Sequence, residues 1–389
     1  FVDYHGVIFS LFSVYLLIFF ILKKKNIYLF FIPICLFFSF LSKQIPAGYV
    51  AIFLSLALFI YFIKNFQLKN IYFFFSGCLV SLLFFIIYLS FLNINFSDFL
   101  IQYFFFPLSI GKARFEILNI NLLEIVINFK FIFIIIFSLI FLNIKIFFKN
   151  KKEYRVKFLI NNYIIITALI FIYSQLLTKN QILIFFLIPI LMAFFHSYYF
   201  LIFRKKYFLY FLIFLTFFSV FKYHYRYNEN KYFMDFNKFE IENAIDGEKI
   251  DKIFYNLKWL TPFEYYKNSS KEAFLLKETK DFINLNKDKY NIIFITDYLF
   301  FSSITNHKIA SPIKWYDDVI VPKKNNYYYN YYKNFFIDKI LKNKITHIYT
   351  IGKYDSYYFS DFVMNKKCIK KKTINEILNV YDITNCSFI

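Results

Sequence analysis

Eight apolar runs decide what the first 223 residues can fold into: 7–22, 27–42, 46–63, 71–92, 123–147, 158–177, 181–203 and 207–223. Each is long enough, or nearly so, to cross a hydrocarbon core about 30 Å thick as a helix. Inside a bilayer the backbone must satisfy its own N–H and C=O groups, which leaves helices as the structures open to such runs. The chain of 389 residues is 59% hydrophobic with a mean hydropathy of +0.49, well above a water-soluble globule of that size. The expected fold class is a polytopic α-helical membrane protein with about eight transmembrane helices. No signal-peptide pattern precedes the first run and residue 1 is Phe, so the expectation is a fragment whose N-terminus is missing.

The formal net charge of +21 would suggest nucleic acid for a soluble protein, but its placement does not. Residues 1–223 hold 20 Lys and Arg against five carboxylates, Asp3, Asp98, Glu116, Glu124 and Glu153. Thirteen of those cations sit in every second connection: Lys23–Lys25, Lys64 and Lys69, the cluster from Lys149 to Lys157, and Arg204–Lys206. The alternate connections hold only Lys43, Lys112, Arg114 and Lys179. Basic loops stay on the cytoplasmic side. That rule puts residue 1 outside and, after an even number of spans, the polar C-terminal region outside too. Four of the five carboxylates then face outward. The predicted partners are membrane lipids rather than nucleic acid.

Composition changes near residue 224 to a Lys, Asn, Tyr and Asp mixture with short apolar runs. NIIFIT (291–296), THIYTI (346–351) and NVYDIT (379–384) read as buried strands. Residues 270–287 and 332–344 space their apolar positions at three and four, as amphipathic helices do. The reading is a transmembrane domain over 1–223 and an extracytoplasmic α/β domain over 224–389, joined near 224–236. The long outer loop, 93–122, contains FLIQYFFF, which suits a helix lying in the interface and ended by Pro107 and Gly111.

Several chemistries find no footing. There is no G-x-x-x-x-G-K-[ST], no H-E-x-x-H and no C-x-x-C, and six glycines supply no phosphate-cradling loop. Phe 62 and Tyr 35, with abundant Ile, Asn and Lys, are what an AT-rich gene encodes, so aromatic stripes are not read as ligand sites. Cys35 and Cys78 fall inside spans and read as packing residues. Cys368 and Cys386 fall in the outward domain, where a disulfide is permitted, and the sequence leaves their pairing open.

The candidate site residues are polar groups at the outer ends of spans. FVDYHG places Asp3 and His5 at the mouth of the first span, either as a solvated end or as a carboxylate facing a cavity. In LSKQIPAGYV, Lys43 lies against the charge trend, either snorkelling to headgroups or holding a lipid phosphate, with Gln44 as a neutral donor and Pro46 and Gly48 making the turn. Lys112 and Arg114 in SIGKARFE offer similar cations, Arg being suited to bidentate phosphate binding. Asp98 shares the outer loop, and Gln181 lies in TKNQ ahead of a span in which Pro189 marks a kink.

FVDYHG, LSKQIPAGY one hairpin later, PLSIGKARFE in an outer loop, TKNQILIFFLIPIL opening a span and NIIFITDY in the tail together resemble the type C integral-membrane glycosyltransferases. The resemblance spans nearly the whole chain, through short and degenerate motifs. It implies transfer of a sugar from a polyprenyl-phosphate donor to a glycan, lipid or protein acceptor at the outer face of a bacterial plasma membrane. Members keep their main catalytic carboxylate in a first outer loop near the N-terminus, and no such loop is present here. Asp3 would match a second acidic position, assisting as acid or base, while Lys43, Lys112 and Arg114 stabilise the departing phosphate. His5, Gln44, Asp98 and Gln181 would line the same substrate site. A divalent metal would share the phosphate work, and no ligand cluster for one is visible in the sequence.

Three rivals compete. A transporter or flippase for an anionic glycolipid would use the same outward cations and predicts paired polar residues within spans. A glycan polymerase or ligase predicts a longer outer loop, and a membrane-anchored binding module needs far fewer spans.

Overall fold

Among the described residues, helix lies within each of the eight apolar runs. The structure, a computed structural model, describes residues 2–116, 122–148, 152–178, 185–203, 208–229, 243–261, 268–307, 316 and 321–388. The chain divides into two units, Phe1–Asp235 and Phe236–Ile389.

The first unit holds α1 (Val2–Lys23), α2 (Ile27–Ser42), α3 (Gln44–Lys64) and α4 (Leu68–Phe91). After them come α5 (Phe96–Phe99), a π-helical turn (Leu100–Phe105), α6 (Phe106–Glu116), α7 (Leu122–Asn128) and α8 (Lys130–Phe147). The unit closes with α9 (Lys152–Thr178), α10 (Leu187–Phe203) and α11 (Phe208–His224). Among the described residues, five helices are long and apolar enough to cross a membrane: Tyr4–Lys23, Gln44–Lys64, Leu68–Phe91, Lys130–Phe147 and Tyr154–Leu177. Ile27–Ser42, Leu187–Phe203 and Phe208–His224 are equally apolar but shorter.

Val14, Leu17, Ile18, Leu29, Ile32, Leu54, Ile135, Leu139, Ile164, Ala168, Ile188 and Leu191 share one buried core, which draws on α1, α2, α3, α8, α9 and α10. On the edge of this core, α4 packs on α2 through a notch. A β-carbon at Gly77 would stand 2.1 Å from the Phe30 carbonyl oxygen and 2.8 Å from the Pro33 ring. Without a hydrophobic drive between helices in lipid, close backbone approach of this kind is what holds a helix pair.

The helix ends meet in two sets. Lys24 Nζ reaches Tyr61 Oη at 3.5 Å, so the basic turn after α1 meets the end of α3. Lys145 lies over the Phe203 ring, and Tyr198 Oη donates to the Lys157 carbonyl at 2.7 Å, bringing the α8, α9 and α10 ends together. At the opposite end Tyr49 of α3 meets Tyr173 of α9, ring to ring at 5.3 Å.

Four local expectations are corrected. The helix of the 93–122 segment runs through Pro107 and Gly111 to Glu116, because Pro107 stands in the first turn of α6, after a π turn, where its missing N–H costs least. The 123–147 run is two helices, broken at Phe129 (φ −108°, ψ 24°), where Tyr223 Oη donates to the Asn128 carbonyl at 3.0 Å. Pro189 lies in the first turn of α10 and kinks nothing. Past residue 223 the chain continues helically, as a π turn over Tyr225–Glu229.

In the second unit β3 (Ile292–Thr296), β4 (His347–Ile351), β5 (Lys370–Thr373) and β6 (Leu378–Asp382) form one sheet in the order β3-β4-β6-β5. A two-residue ribbon, β1 (Ile245–Asp246) with β2 (Lys258–Trp259), precedes it. β3 and β4 are parallel, Ile292 opposite His347, and the other pairings are antiparallel. Alternate residues of β3 enter opposite cores. Ile292 and Phe294 pack with Leu275, Leu276 and Ile283 of α12 (Ser269–Asn286). Ile293 and Ile295 pack with Phe336, Ile337 and Ile340 of α14 (Tyr329–Lys342). A short α13 (Phe301–Ile304) follows β3. Burial on both faces is why β3 and β4 read as continuous apolar runs. Cys368 and Cys386 are joined by a disulfide, with Cα atoms 5.3 Å apart.

Candidate functional site

The Lys43 end of the helical unit is built from a turn and a clasp. Lys43 (φ −158°, ψ 124°) and Ile45 (φ −111°, ψ 120°) are extended, and regular helix starts at Pro46. The residue before a proline is pushed out of the helical region, and proline suits the first helical position, so the turn falls at 43–45. Gly48, expected in the turn, lies inside α3, where nothing stands within 4 Å of a β-carbon.

Across from that turn, α1 begins. A β-carbon on Gly6 would stand 3.0 Å from Lys43 Cβ. Ser39 Oγ donates to the Gly6 carbonyl at 2.5 Å and shares a 2.6 Å hydrogen bond with Ser10 Oγ, and both serines are fully buried. Lys43, itself half-buried, is thus fixed by its backbone against the first turn of α1. Position 3 lies one helical turn before Gly6, on the same face of α1.

The clasp joins this turn to the π turn. Gln44 Nε2 donates to the Tyr103 carbonyl at 2.9 Å. In an α-helix that carbonyl would take the N–H four residues on, which is Pro107 and has none. Tyr103 Oη reaches back to the Phe40 and Leu41 carbonyls, both at 2.6 Å, within the last turn of α2. Those carbonyls are among the four that a helix end leaves without partners. Burial, with Tyr88 nearby, pushes the Tyr103 phenol up to about 12, so it stays a protonated donor at neutral pH. The Tyr103 ring stacks on Phe99 at 4.9 Å and meets Phe40 edge-on at 5.9 Å.

The predicted site residues therefore fall into three groups. Lys43 and Gln44 share the clasp with the first turn of α1, although Gln44 uses one of its donors on the Tyr103 backbone. His5 is exposed on α1, and Asp98 sits in the first turn of α5 with Asn95 Nδ2 3.3 Å from its carboxylate, where the helix dipole favours an anion. The backbone of Asp3 lies in α1 and those of Lys112 and Arg114 in α6, with side chains outside the description, and Gln181 lies outside the described residues. Among the described residues, no group of three or more His, Cys, Asp and Glu side chains is placed to hold a metal ion.

Tyr103 was invisible as a site residue because it reads as one more aromatic in FLIQYFFF. Pro107 carried the usable signal, since a proline four residues after any helical position leaves a carbonyl in want of a donor. Comparison with protein-family models, curated proteins and solved structures finds no significant match to this chain.

Proposed function

We propose that the chain is a membrane glycosyltransferase that moves a sugar from a polyprenyl-phosphate donor to an envelope glycan, lipid or protein acceptor. The observation that carries the reading is the position of Lys43. This half-buried lysine is clamped against the first turn of α1, at the helix ends away from the basic turns around Lys24 and Lys157. A cation there neutralises a lipid phosphate, and the first turn of α1 brings Asp3 to the same end.

All eight helices span in this reading. α2 must, because α1 ends where the basic turn lies and α3 starts at the other end. At 1.5 Å per residue its 16 residues cover about 24 Å, close to the hydrocarbon thickness. The Lys43 end faces outward at a bacterial plasma membrane, and so does the second unit. In the transfer step an acceptor oxygen or nitrogen attacks the anomeric carbon as the bond to the phosphate oxygen breaks. Asp3 assists by orienting the acceptor and helping to take its proton, while Lys43, Lys112 and Arg114 hold the departing polyprenyl phosphate, with or without a divalent metal.

One observation favours a transporter of anionic glycolipids. Between α8 and α9, Asn143 Nδ2 donates to Asn162 Oδ1 at 2.9 Å and Asn161 Nδ2 to the Leu139 carbonyl at 3.1 Å, polar pairing of the sort that lines a pathway. The two readings separate in proteoliposomes given a radiolabelled polyprenyl-phosphate sugar and a mixed acceptor extract. Transfer to acceptor that is lost in Asp3→Ala, Lys43→Ala and Arg114→Ala, with membrane insertion intact, supports the transferase. Full transfer in all three variants removes the site. Movement of intact donor across the bilayer without transfer moves the function to transport.

A further inference from the structure

A cleft in the second unit is walled by side chains of both charge signs and by tyrosines: Lys324, Asp361, Tyr329, Tyr332, Tyr357 and Tyr358 among its lining. Its cavity volume is about 40 Å³, and it opens to solvent. Asp361 is a fixed acceptor. One carboxylate oxygen takes Lys324 Nζ at 2.8 Å and the other Lys366 Nζ at 2.6 Å, and these lysines hold its carboxyl below the usual range. Tyr332 is 8% exposed, and its hydroxyl has no hydrogen-bond partner among the described residues. Burial first, and then the neighbouring phenols of Tyr316, Tyr358 and Tyr329, keep that hydroxyl protonated. A buried hydroxyl without a partner is a standing cost that a ligand reaching it would remove. Tyr357, 63% exposed with its ring edge-on to that of Tyr358 at 5.7 Å, presents an aromatic ring to a ligand at the cleft.

We propose that this cleft binds a saccharide ring. A free anion would meet the Asp361 carboxylate, and a free cation the lysines. A neutral polyhydroxylated ring uses the whole set: hydroxyl donors to Asp361, acceptors for Lys324, either role at the tyrosine hydroxyls, and C–H faces against the aromatic rings. The assignment stands on the cleft alone and does not depend on the transferase reading.

The test is saturation-transfer NMR on the full chain in nanodiscs. The probes are glucose, mannose, galactose and N-acetylglucosamine, with inorganic phosphate as the anion. At least one sugar binds saturably in the millimolar range. Tyr332→Phe weakens it about fivefold and Asp361→Asn about tenfold. Tyr357→Ala, at an exposed position that folding does not need, weakens it too. Tryptophan emission, which comes only from Trp259 and Trp315, both in the second unit, verifies that each variant is folded. Absence of saturable binding by all four sugars overturns the proposal. So does sugar binding unchanged in all three variants, or binding of phosphate alone that disappears in Lys324→Gln.

Discussion

Gln44 donates to the Tyr103 carbonyl, 59 residues away, at the place where Pro107 withholds the helical donor. The side chain of one helix junction thereby completes the backbone of another segment, and Tyr103 returns the service at the end of α2. Supplying Pro107 with an N–H should make Gln44 dispensable. Gln44→Ala is expected to destabilise the wild-type background by about 1 kcal/mol and the Pro107→Ala background by markedly less. Thermal unfolding in detergent across this double-mutant cycle reads the coupling, and strict additivity would remove the proposed link.

Two glycines should respond in opposite directions to alanine. At Gly77 the new methyl would overlap the Phe30 carbonyl, so Gly77→Ala forces α4 off α2, at about 2 kcal/mol or more. At Gly48 the site is open and helical, so Gly48→Ala gains about 0.5–1 kcal/mol. Melting temperatures of the two variants should move apart.

Glu272 is a buried carboxylate with three donors: Trp259 Nε1 at 2.9 Å, Tyr298 Oη at 2.5 Å and Thr261 Oγ1. Glu272→Gln should be mild, because the two hydroxyls can reverse their roles while the amide oxygen keeps the indole. Glu272→Leu removes the acceptor that all three donors share and should cost about 1–3 kcal/mol or more. Tryptophan emission against denaturant separates the two.

How much of this was legible in sequence varies with where each partner lies. β3 and β4 were readable because burial on both faces writes itself as IIFIT and HIYTI. β5, KKKT, was not, since an edge strand exposed throughout carries no apolar signature. The break at Phe129 has no local proline or glycine, and its anchor, Tyr223, comes 95 residues after Asn128. Lys43 stood out by charge against a topological trend. Tyr103 did not, because its role depends on the position of a proline and on a glutamine outside its own segment.

His347 sets a pH dependence. It is largely buried, its ring lies 3.9 Å from that of Tyr290, and its Nδ1 is 2.9 Å from Thr346 Oγ1. Burial lowers its pKa, outweighing the opposing pull of its cross-strand neighbour Asp382. The unfolded chain, with histidine near 6.5, then binds the proton more readily than the folded one. Stability is full above that value and declines as pH falls below it. The second unit should unfold more easily at pH 5.5 than at 7.5, by tryptophan emission of the full chain. His347→Gln should flatten that part of the profile.

Membrane proteins are confined to a plane, and neighbouring copies meet repeatedly in similar orientations. Under those conditions a sheet with an open edge is a template for growth from copy to copy. Here β5 closes one side of the sheet with Lys370, Lys371 and Lys372 in succession, all exposed. Two such edges brought together would set like charges opposite one another and desolvate ammonium groups, so the strand that finishes the sheet also stops it from continuing into a second molecule.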